Sequence, residues 1–231
     1  MRALCLAGLI LLAGCKTDAA PQFPKAERGV APIVSSRWST EESRDRRNEA
    51  DKIMDLSGVS EGMTVADIGA GEGYYTIRMA ARVGPKGRVV AEDIMTDAYN
   101  ALAQRVLDKK LQNVSVKRGT PDDPGLPAGS FDRILMVHMY HEIAEPYAFL
   151  WHLRPALRRG GRVIIVDADR ATNDHGTPPL LLQCEFAALG YKMVEFREAA
   201  FAGGYLATFE AVSPRPEPSA IRACALARAG K

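Results

Sequence analysis

The sequence has nearly balanced charges and few cysteines. The first feature argues against a nucleic-acid-binding surface, and the second against a cysteine metal cluster. Its 30 lysine and arginine residues against 28 aspartate and glutamate residues leave a net charge of +2, which is too small to indicate a nucleic-acid-binding surface. The 231 residues contain four cysteines, with no spacing typical of a metal-ligand cluster. A hydrophobic content of 47% and a charged content of 25% are those of an ordinary globular domain with tails.

The N-terminus has the pattern of a targeting segment. A basic start is followed by an apolar stretch at residues 3–13, too short to span a bilayer, and by small residues before Cys15. This resembles a bacterial lipoprotein signal peptide over residues 1–14, with Cys15 carrying the lipid. We therefore expect an exported, membrane-anchored lipoprotein that faces the periplasm, and Lys16 favours the outer membrane if the cell is Gram-negative. A generic secretory signal, or a cytoplasmic start with a chance apolar run, is the alternative.

Three further segments follow from composition. Residues 15–36 contain three prolines and little periodicity, which predicts a flexible tether. Residues 37–213 are the predicted domain, and the mixed charges at its start favour a solvated helix face. Residues 214–231 begin with alternating prolines and are predicted to be a surface tail. Cys184 and Cys224 can form a disulfide in an oxidising compartment, although the apolar run around Cys184 also fits a small buried core residue.

The stretch V-A-D-I-G-A-G-E-G-Y-Y at residues 65–75 is the most informative one. An apolar run ending in Asp67, followed by alternate glycines, predicts a strand that turns tightly into a helix beneath a ligand. A Cβ at Gly69, Gly71 or Gly73 would block the ligand or forbid the backbone dihedrals. The spacing departs from the dinucleotide fingerprint G-x-G-x-x-G, because a tyrosine stands where the third glycine belongs. A dehydrogenase is therefore the weaker interpretation.

A second acidic signal lies roughly twenty residues further on. The β-branched run at residues 88–94 ends its strand in Glu92 and Asp93. A carboxylate at the tip of the second strand is well placed to accept hydrogen bonds from ribose hydroxyls. Asp67 at the end of the first strand would repel a phosphate and favour an amino group. The predicted ligand therefore carries a ribose and a cationic amine and does not need a phosphate.

Together these motifs resemble the class I S-adenosylmethionine-dependent methyltransferases, over about residues 37–212. Later marks are A-G-S-F-D at 128–132 and L-R-P-A-L-R-R-G-G-R at 153–162, each leading into a predicted strand. The resemblance implies S-adenosylmethionine as the cofactor and methyl transfer to a small molecule as the reaction. The alternative is a lipid-anchored, non-catalytic binding or scaffold protein that kept the fold.

The resemblance also assigns residues to the cofactor. The glycine loop and its acid would contact the methionine end, and Asp93 would hold the ribose, with Glu92 as the second candidate. Relatives usually carry an acid just after the third strand, where this chain has Thr120. Asp122 or Asp123 would then replace that acid at the adenine.

The order of the predicted elements indicates an α/β fold with a Rossmann-like, doubly wound and mostly parallel sheet of seven strands. A leading helix over 40–56 precedes alternating strands and helices, including a helix over 146–158. Two extended segments at 193–200 and 205–212 then flank a Phe-Ala-Gly-Gly turn, which predicts a β-hairpin. This hairpin gives the sheet an antiparallel C-terminal edge, as the methyltransferase fold requires.

The catalytic candidates follow the fourth strand, in H-M-Y-H-E at residues 138–142. His138 or His141 can accept a proton from a substrate, because imidazole titrates near working pH, and Tyr140 can orient the substrate. The alternative interpretation makes all three cleft-wall or capping residues. The order H-x-x-H-E does not match the helical zinc motifs, so no metal is predicted. We expect no nucleic-acid substrate and infer no specific protein partner; the lipidated Cys15 would provide the contact with a membrane.

Overall fold

The computed structural model describes residues 21–33 and 39–225. The predicted signal peptide and the lipidated Cys15 lie outside the described residues. Within the described ranges, no helix combines the length and the apolar character needed to cross a bilayer.

Among residues 39–225, seven strands form one sheet, as the sequence predicts. Its order is β3-β2-β1-β4-β5-β7-β6. The first five strands pair in parallel, and β7 lies between β5 and β6 and is antiparallel to both. The predicted fold class and the antiparallel C-terminal hairpin are therefore confirmed. The strands are β1 (Thr64–Ile68), β2 (Arg88–Asp93), β3 (Val114–Arg118), β4 (Phe131–Val137), β5 (Leu157–Asp167), β6 (Tyr191–Ala199) and β7 (Gly204–Ala211).

Six α-helices in the described part of the chain accompany the sheet. Two depart substantially from the predicted bounds, each for a local reason. The leading helix is broken because Asn48 adopts a left-handed conformation with φ of 51°, and α5 ends at Leu153 because Pro155 cannot continue its hydrogen bonding. The helices are α1 (Glu41–Arg46), α2 (Glu49–Leu56), α3 (Tyr74–Val83), α4 (Thr96–Asp108), α5 (Pro146–Leu153) and α6 (Pro179–Ala188).

The core has an apolar layer on each face of the sheet. One layer lies between the sheet and helices α5 and α6, where the rings of Phe186 and Phe209 stack with centroids 3.9 Å apart. The other lies between the sheet and helices α2 and α3, and contains the fully buried Ile53 and Met79. Each such side chain contributes about 1.5–3 kcal/mol on burial. The two layers fix the carboxyl ends of β1, β2, β4 and β5 at one edge.

Residues 21–33, predicted as part of a flexible tether, pack against the domain. Arg28 Nε lies 2.8 Å from Glu185 Oε1 on α6, and both side chains are 1% exposed. The buried Ala31 donates its N–H to the carbonyl of His141 at 3.2 Å. A buried arginine needs a charged partner in a fixed position, so this part of the predicted tether is held in place.

The described part of the predicted C-terminal tail is also anchored. Cys184 on α6 forms a disulfide with Cys224. The N–H of Cys224 donates to the Tyr147 hydroxyl at 2.7 Å, and Ile221 is buried. The chain after β7 therefore returns across α5 and α6 and covers that face of the domain.

Candidate functional site

The glycine loop connects β1 to α3 and has one open side. Gly69, Gly71 and Gly73 have φ of 66°, 54° and 88°, in the left-handed region that side chains with a Cβ disfavour. A Cβ at Gly73 would lie 2.4 Å from Leu102 Cδ1, whereas a Cβ at Gly71 would meet no atom within 4 Å. Gly73 therefore permits packing against α4, and Gly71 leaves its backbone open to a ligand.

Asp93 ties the end of β2 to this loop. Its Oδ2 accepts a hydrogen bond from the Gly71 N–H at 2.8 Å, and its Oδ1 accepts one from the Met95 N–H, also at 2.8 Å. The register of β1 against β2 sets Ile68 opposite Glu92. The predicted ribose-binding acid therefore lies directly beside the open glycine.

Glu92 is the neighbouring acid and lacks a complete set of partners. Its side chain is buried, and its Oε1 has no hydrogen-bond partner among the described residues. This oxygen lies against Gly119, where a Cβ would come within 2.0 Å of it. Burial, together with the charge of Asp93, raises the pKa of Glu92 to about 8, while the N–H groups of Gly69 and Gly119 oppose that rise. A buried acceptor without a partner is typical of a ligand site.

Asp67 completes a group of three acids at the ends of β1 and β2. It is 3% exposed, and its Oδ2 accepts a hydrogen bond from Thr76 Oγ1 at 2.6 Å. Burial raises the pKa of Asp67 to about 6, the Thr76 hydroxyl lowers it, and the charge of Asp93 raises it further. Buried acids that repel one another would be relieved by a cationic ligand. The structure thus brings the predicted Asp67, Glu92 and Asp93 together.

The adenine candidates form a turn of their own after β3. Thr120 Oγ1 donates to Asp122 Oδ1 at 2.7 Å, and Thr120 forms a bridge with Asp123. The Asp122 carbonyl lies 2.9 Å from His152 Nδ1. Because Gly119 contacts Glu92, the turn begins immediately beyond the acid group. Its role in binding adenine stays a prediction.

His138 directly follows β4 and lies near several charged groups. It has a left-handed backbone with φ of 54°, and its N–H donates to the Val166 carbonyl of β5 at 2.8 Å. Burial lowers the pKa of His138, and the charges of Asp167 and Glu49 act in the opposite direction. The imidazole is therefore neutral near pH 7, the form that can accept a proton.

Tyr140 does not lie in the cleft, contrary to the prediction that it orients a substrate. Its side chain is fully buried, and its hydroxyl donates to Glu185 Oε2 at 2.7 Å. Burial raises the pKa of Tyr140 far above its usual range. The short turn after β4 directs this ring into the layer beneath α6, where it packs against Phe186. Tyr140 is a core residue.

His141, one residue later, is held by the end of β5. Its Nδ1 lies 3.0 and 3.1 Å from the two carboxylate oxygens of Asp167. Asp167 also accepts hydrogen bonds from Thr177 Oγ1 at 2.7 Å and from the Ala168 N–H at 2.9 Å. This dyad was not predicted. The sequence signal that could have indicated this dyad is Asp167 itself, an acid at the carboxyl end of β5, the strand next to β4.

Arg44 is a second residue whose role the sequence did not indicate. The sequence favoured a solvated helix face here, but the Arg44 side chain is only 17% exposed. Its Nη2 lies 2.8 Å from Glu49 Oε1. Its guanidinium lies 3.8 Å from the centre of the Tyr74 ring, and its charge lowers the pKa of Asp67 in opposition to burial. The break after α1 thus places a paired cation near Asp67.

A bridge from α1 also crosses the glycine loop. Glu41 forms two hydrogen bonds with Arg105 on α4, at 2.5 and 3.0 Å. The same guanidinium donates to the carbonyl of Glu72 in the loop at 2.8 Å. Arg105 therefore links helix α1 to the backbone of the glycine loop.

The parallel sheet with β7 inserted antiparallel, together with a glycine loop flanked by acids at β1 and β2, defines a class I methyltransferase fold. Residues 65–161 match the family model described as "Methyltransferase domain". Over these residues the chain is therefore similar to methyltransferase domains. The predicted protein class and cofactor agree with this match.

Curated relatives support the same class over part of their length. The chain is 40% identical over 86 residues to the Nocamycin O-methyltransferase of Saccharothrix syringae, covering 37% of this chain and 31% of that protein. It is 28% identical over 121 residues to the Ubiquinone/menaquinone biosynthesis C-methyltransferase UbiE of Hahella chejuensis, covering 52% of this chain and 49% of that protein. The matches thus span half or less of these relatives.

Solved structures agree on the fold. A SAM-dependent methyltransferase from Aquifex aeolicus has a TM-score of 0.63 at 23% identity, covering 74% of this chain and 97% of that one. The [4+2]-cyclase SpnF has a TM-score of 0.60 at 16% identity, covering 76% of this chain and 67% of that one. Because the second of these proteins is named as a cyclase, the shared fold alone does not fix a reaction.

The residues of this cleft fit S-adenosylmethionine. The open side of Gly71 lets a ligand approach the backbone. Asp93 and the unpartnered Glu92 oxygen can accept hydrogen bonds from hydroxyl groups. The group of three acids favours a cation over a phosphate.

Proposed function

We propose that this chain transfers a methyl group from S-adenosylmethionine to a small-molecule acceptor. The observation that carries the proposal is the convergence of Asp67, Glu92 and Asp93 on a glycine loop that is open at Gly71. The family match over residues 65–161 supports it. The names of the curated relatives, an O-methyltransferase and a C-methyltransferase, support a small acceptor.

The cofactor would lie across the loop and the end of β2. The backbone from Gly69 to Gly73 would hold its methionine part, and Asp93 would accept hydrogen bonds from its ribose. When bound, S-adenosylmethionine supplies a methyl group activated by a positively charged sulfur. The protein then has to align an acceptor with that methyl group and exclude water.

The acceptor would lie at the ends of β4 and β5. His138 stands there as a neutral imidazole and is our candidate for removing a proton from an acceptor hydroxyl or amine. Asp167 holds His141 in a fixed orientation at the same edge. Helix α1 is linked to the glycine loop through Arg105.

Cofactor binding tests the proposal directly. Calorimetric titration of the purified chain with S-adenosylmethionine should give one site per chain. Asp93→Asn should weaken it about tenfold or more, because a hydrogen bond to a charged acceptor contributes about 1.5–3 kcal/mol. Asp108→Asn, an exposed position on α4, is the matched control and should bind as the parent chain does.

The outcomes separate the two functions considered for this chain. Absence of binding at millimolar cofactor would remove both the enzyme and any cofactor-dependent scaffold. Binding without methyl transfer to any acceptor in a broad panel of small molecules would favour the lipid-anchored, non-catalytic protein.

We also propose that the chain is exported and anchored to a membrane through Cys15. The disulfide between Cys184 and Cys224 supports an oxidising compartment. Metabolic labelling with an alkyne fatty acid in a bacterial host should mark the parent chain and the Cys5→Ser variant. It should not mark Cys15→Ser, which should also leave the membrane fraction. Labelling of Cys15→Ser, or its retention in the membrane, would refute the anchor.

A further inference from the structure

Two histidines and a glutamate converge at the ends of β4 and β5. His141 and Glu142 lie in the short turn after β4, and His175 follows the short turn after β5. One nitrogen of each histidine and one carboxylate oxygen of Glu142 all lie within 4.8 Å of one another. In a tetrahedral zinc site the ligand atoms are about 3.4 Å apart. Small side-chain rotations would therefore close these three groups on an ion.

The environment of His141 matches that of a metal ligand. Its Nδ1 faces the carboxylate of Asp167 at 3.0 Å, and because a carboxylate only accepts, Nδ1 carries the proton. This leaves the lone pair of Nε2 for a ligand. Histidines that bind metals are typically oriented by a carboxylate in this way. Asp167 is itself fully buried and held by Thr177 and the Ala168 N–H.

The backbone supports the same arrangement. His175 has a left-handed conformation with φ of 50°, which is uncommon outside glycine. The rings of His141 and His175 meet edge to face, with centroids 5.4 Å apart. The segment before the domain also contacts this turn, because the buried Ala31 donates its N–H to the His141 carbonyl at 3.2 Å. Three chain segments thus hold the histidine pair in place.

We propose that His141, Glu142 and His175 bind a divalent zinc ion. Two imidazoles and one carboxylate form the ligand set of zinc sites that keep a fourth position open. The sequence argument against zinc compared only residues 138–142 with the helical zinc motifs. The third ligand, His175, comes from the turn after β5, the neighbouring strand of the sheet, so no motif local to residues 138–142 contains it. The site lies at the same sheet edge as the glycine loop, and its existence does not depend on cofactor binding.

The test measures zinc alone. The purified full chain is stripped with a chelator and titrated with Zn²⁺ against a chromophoric competitor, in the absence of S-adenosylmethionine. The parent chain and His152→Ala, a histidine on α5 whose Nδ1 contacts the Asp122 carbonyl, should each bind one equivalent. His175→Ala should lose this site. Asp167→Asn should weaken it by roughly 10- to 100-fold, as expected for a residue behind a ligand.

Two further measurements distinguish the loss of a zinc ligand from a loss of folding. Glu142→Gln and His175→Ala replace half-buried side chains, and circular dichroism should show that both keep the parent secondary structure. Cobalt added to the parent chain should give the intense visible bands of a tetrahedral site, and these bands should be absent from His175→Ala. The inference fails if the parent chain takes up no stoichiometric zinc, or if His175→Ala binds zinc as His152→Ala does.

Discussion

Replacing Gly71 with alanine should separate cofactor binding from stability. Gly71 and Gly62 both have positive φ, of 54° and 80°, and a Cβ at either position would meet no atom within 4 Å. The backbone cost of alanine is therefore similar at both, roughly 1–2 kcal/mol. Gly62 lies in the turn before β1, at the opposite end of that strand from the loop. Gly62→Ala is thus a matched control for backbone strain.

Only the Gly71 variant should lose affinity for the cofactor. The methyl group of alanine would occupy the space through which a ligand approaches the loop, so we expect at least a tenfold loss, about 1.4 kcal/mol or more. Urea denaturation would measure the free energy of unfolding of both variants. Calorimetry with S-adenosylhomocysteine, which is not consumed, would measure binding at a temperature where both are folded.

Two results would refute this reasoning. Equal affinity in Gly71→Ala and the parent chain would mean that the open side of the loop is not where the cofactor lies. Equal losses of affinity in Gly71→Ala and Gly62→Ala would mean that binding follows global stability and not contact with the loop.

Three further predictions concern buried groups. Because the pKa of Glu92 is raised, the folded chain holds this proton more tightly than the unfolded chain does. The free energy of unfolding should therefore fall by about 1.4 kcal/mol per pH unit as pH rises from about 4.5 to about 8. Urea denaturation across that range should show a shallower dependence on pH for Glu92→Gln. Reducing the disulfide of Cys184 with Cys224, which closes a loop with a sequence separation of 40, should lower the free energy of unfolding by about 4 kcal/mol, and a Cys224→Ser variant should show no further effect of reductant in thermal melts. Arg28→Met should destabilise by about 3–5 kcal/mol, because it leaves Glu185 buried without its cation; a loss below 1 kcal/mol by the same denaturation would show that the segment is not anchored there.

The local pattern of the chain determined most of the fold. The glycine loop, the acids at the ends of β1 and β2 and the hairpin of β6 and β7 each follow from a short pattern that is local in the sequence. Such signals work because a strand repeats every two residues, and because left-handed turns select glycine. Asp67, Glu92 and Asp93 end neighbouring parallel strands, so their common location was predictable.

Only the tertiary structure determined which way the side chains in the connecting turns point and which residues they contact. Tyr140 and His141 are consecutive, yet one enters the core beneath α6 and the other faces Asp167 on β5. Arg44 lies beside the acid group because Asn48 breaks the leading helix. His175 meets His141 only because β4 and β5 are adjacent in the sheet. Irregular turns have no repeat that fixes which side each residue faces, so those contacts are set by packing between distant segments.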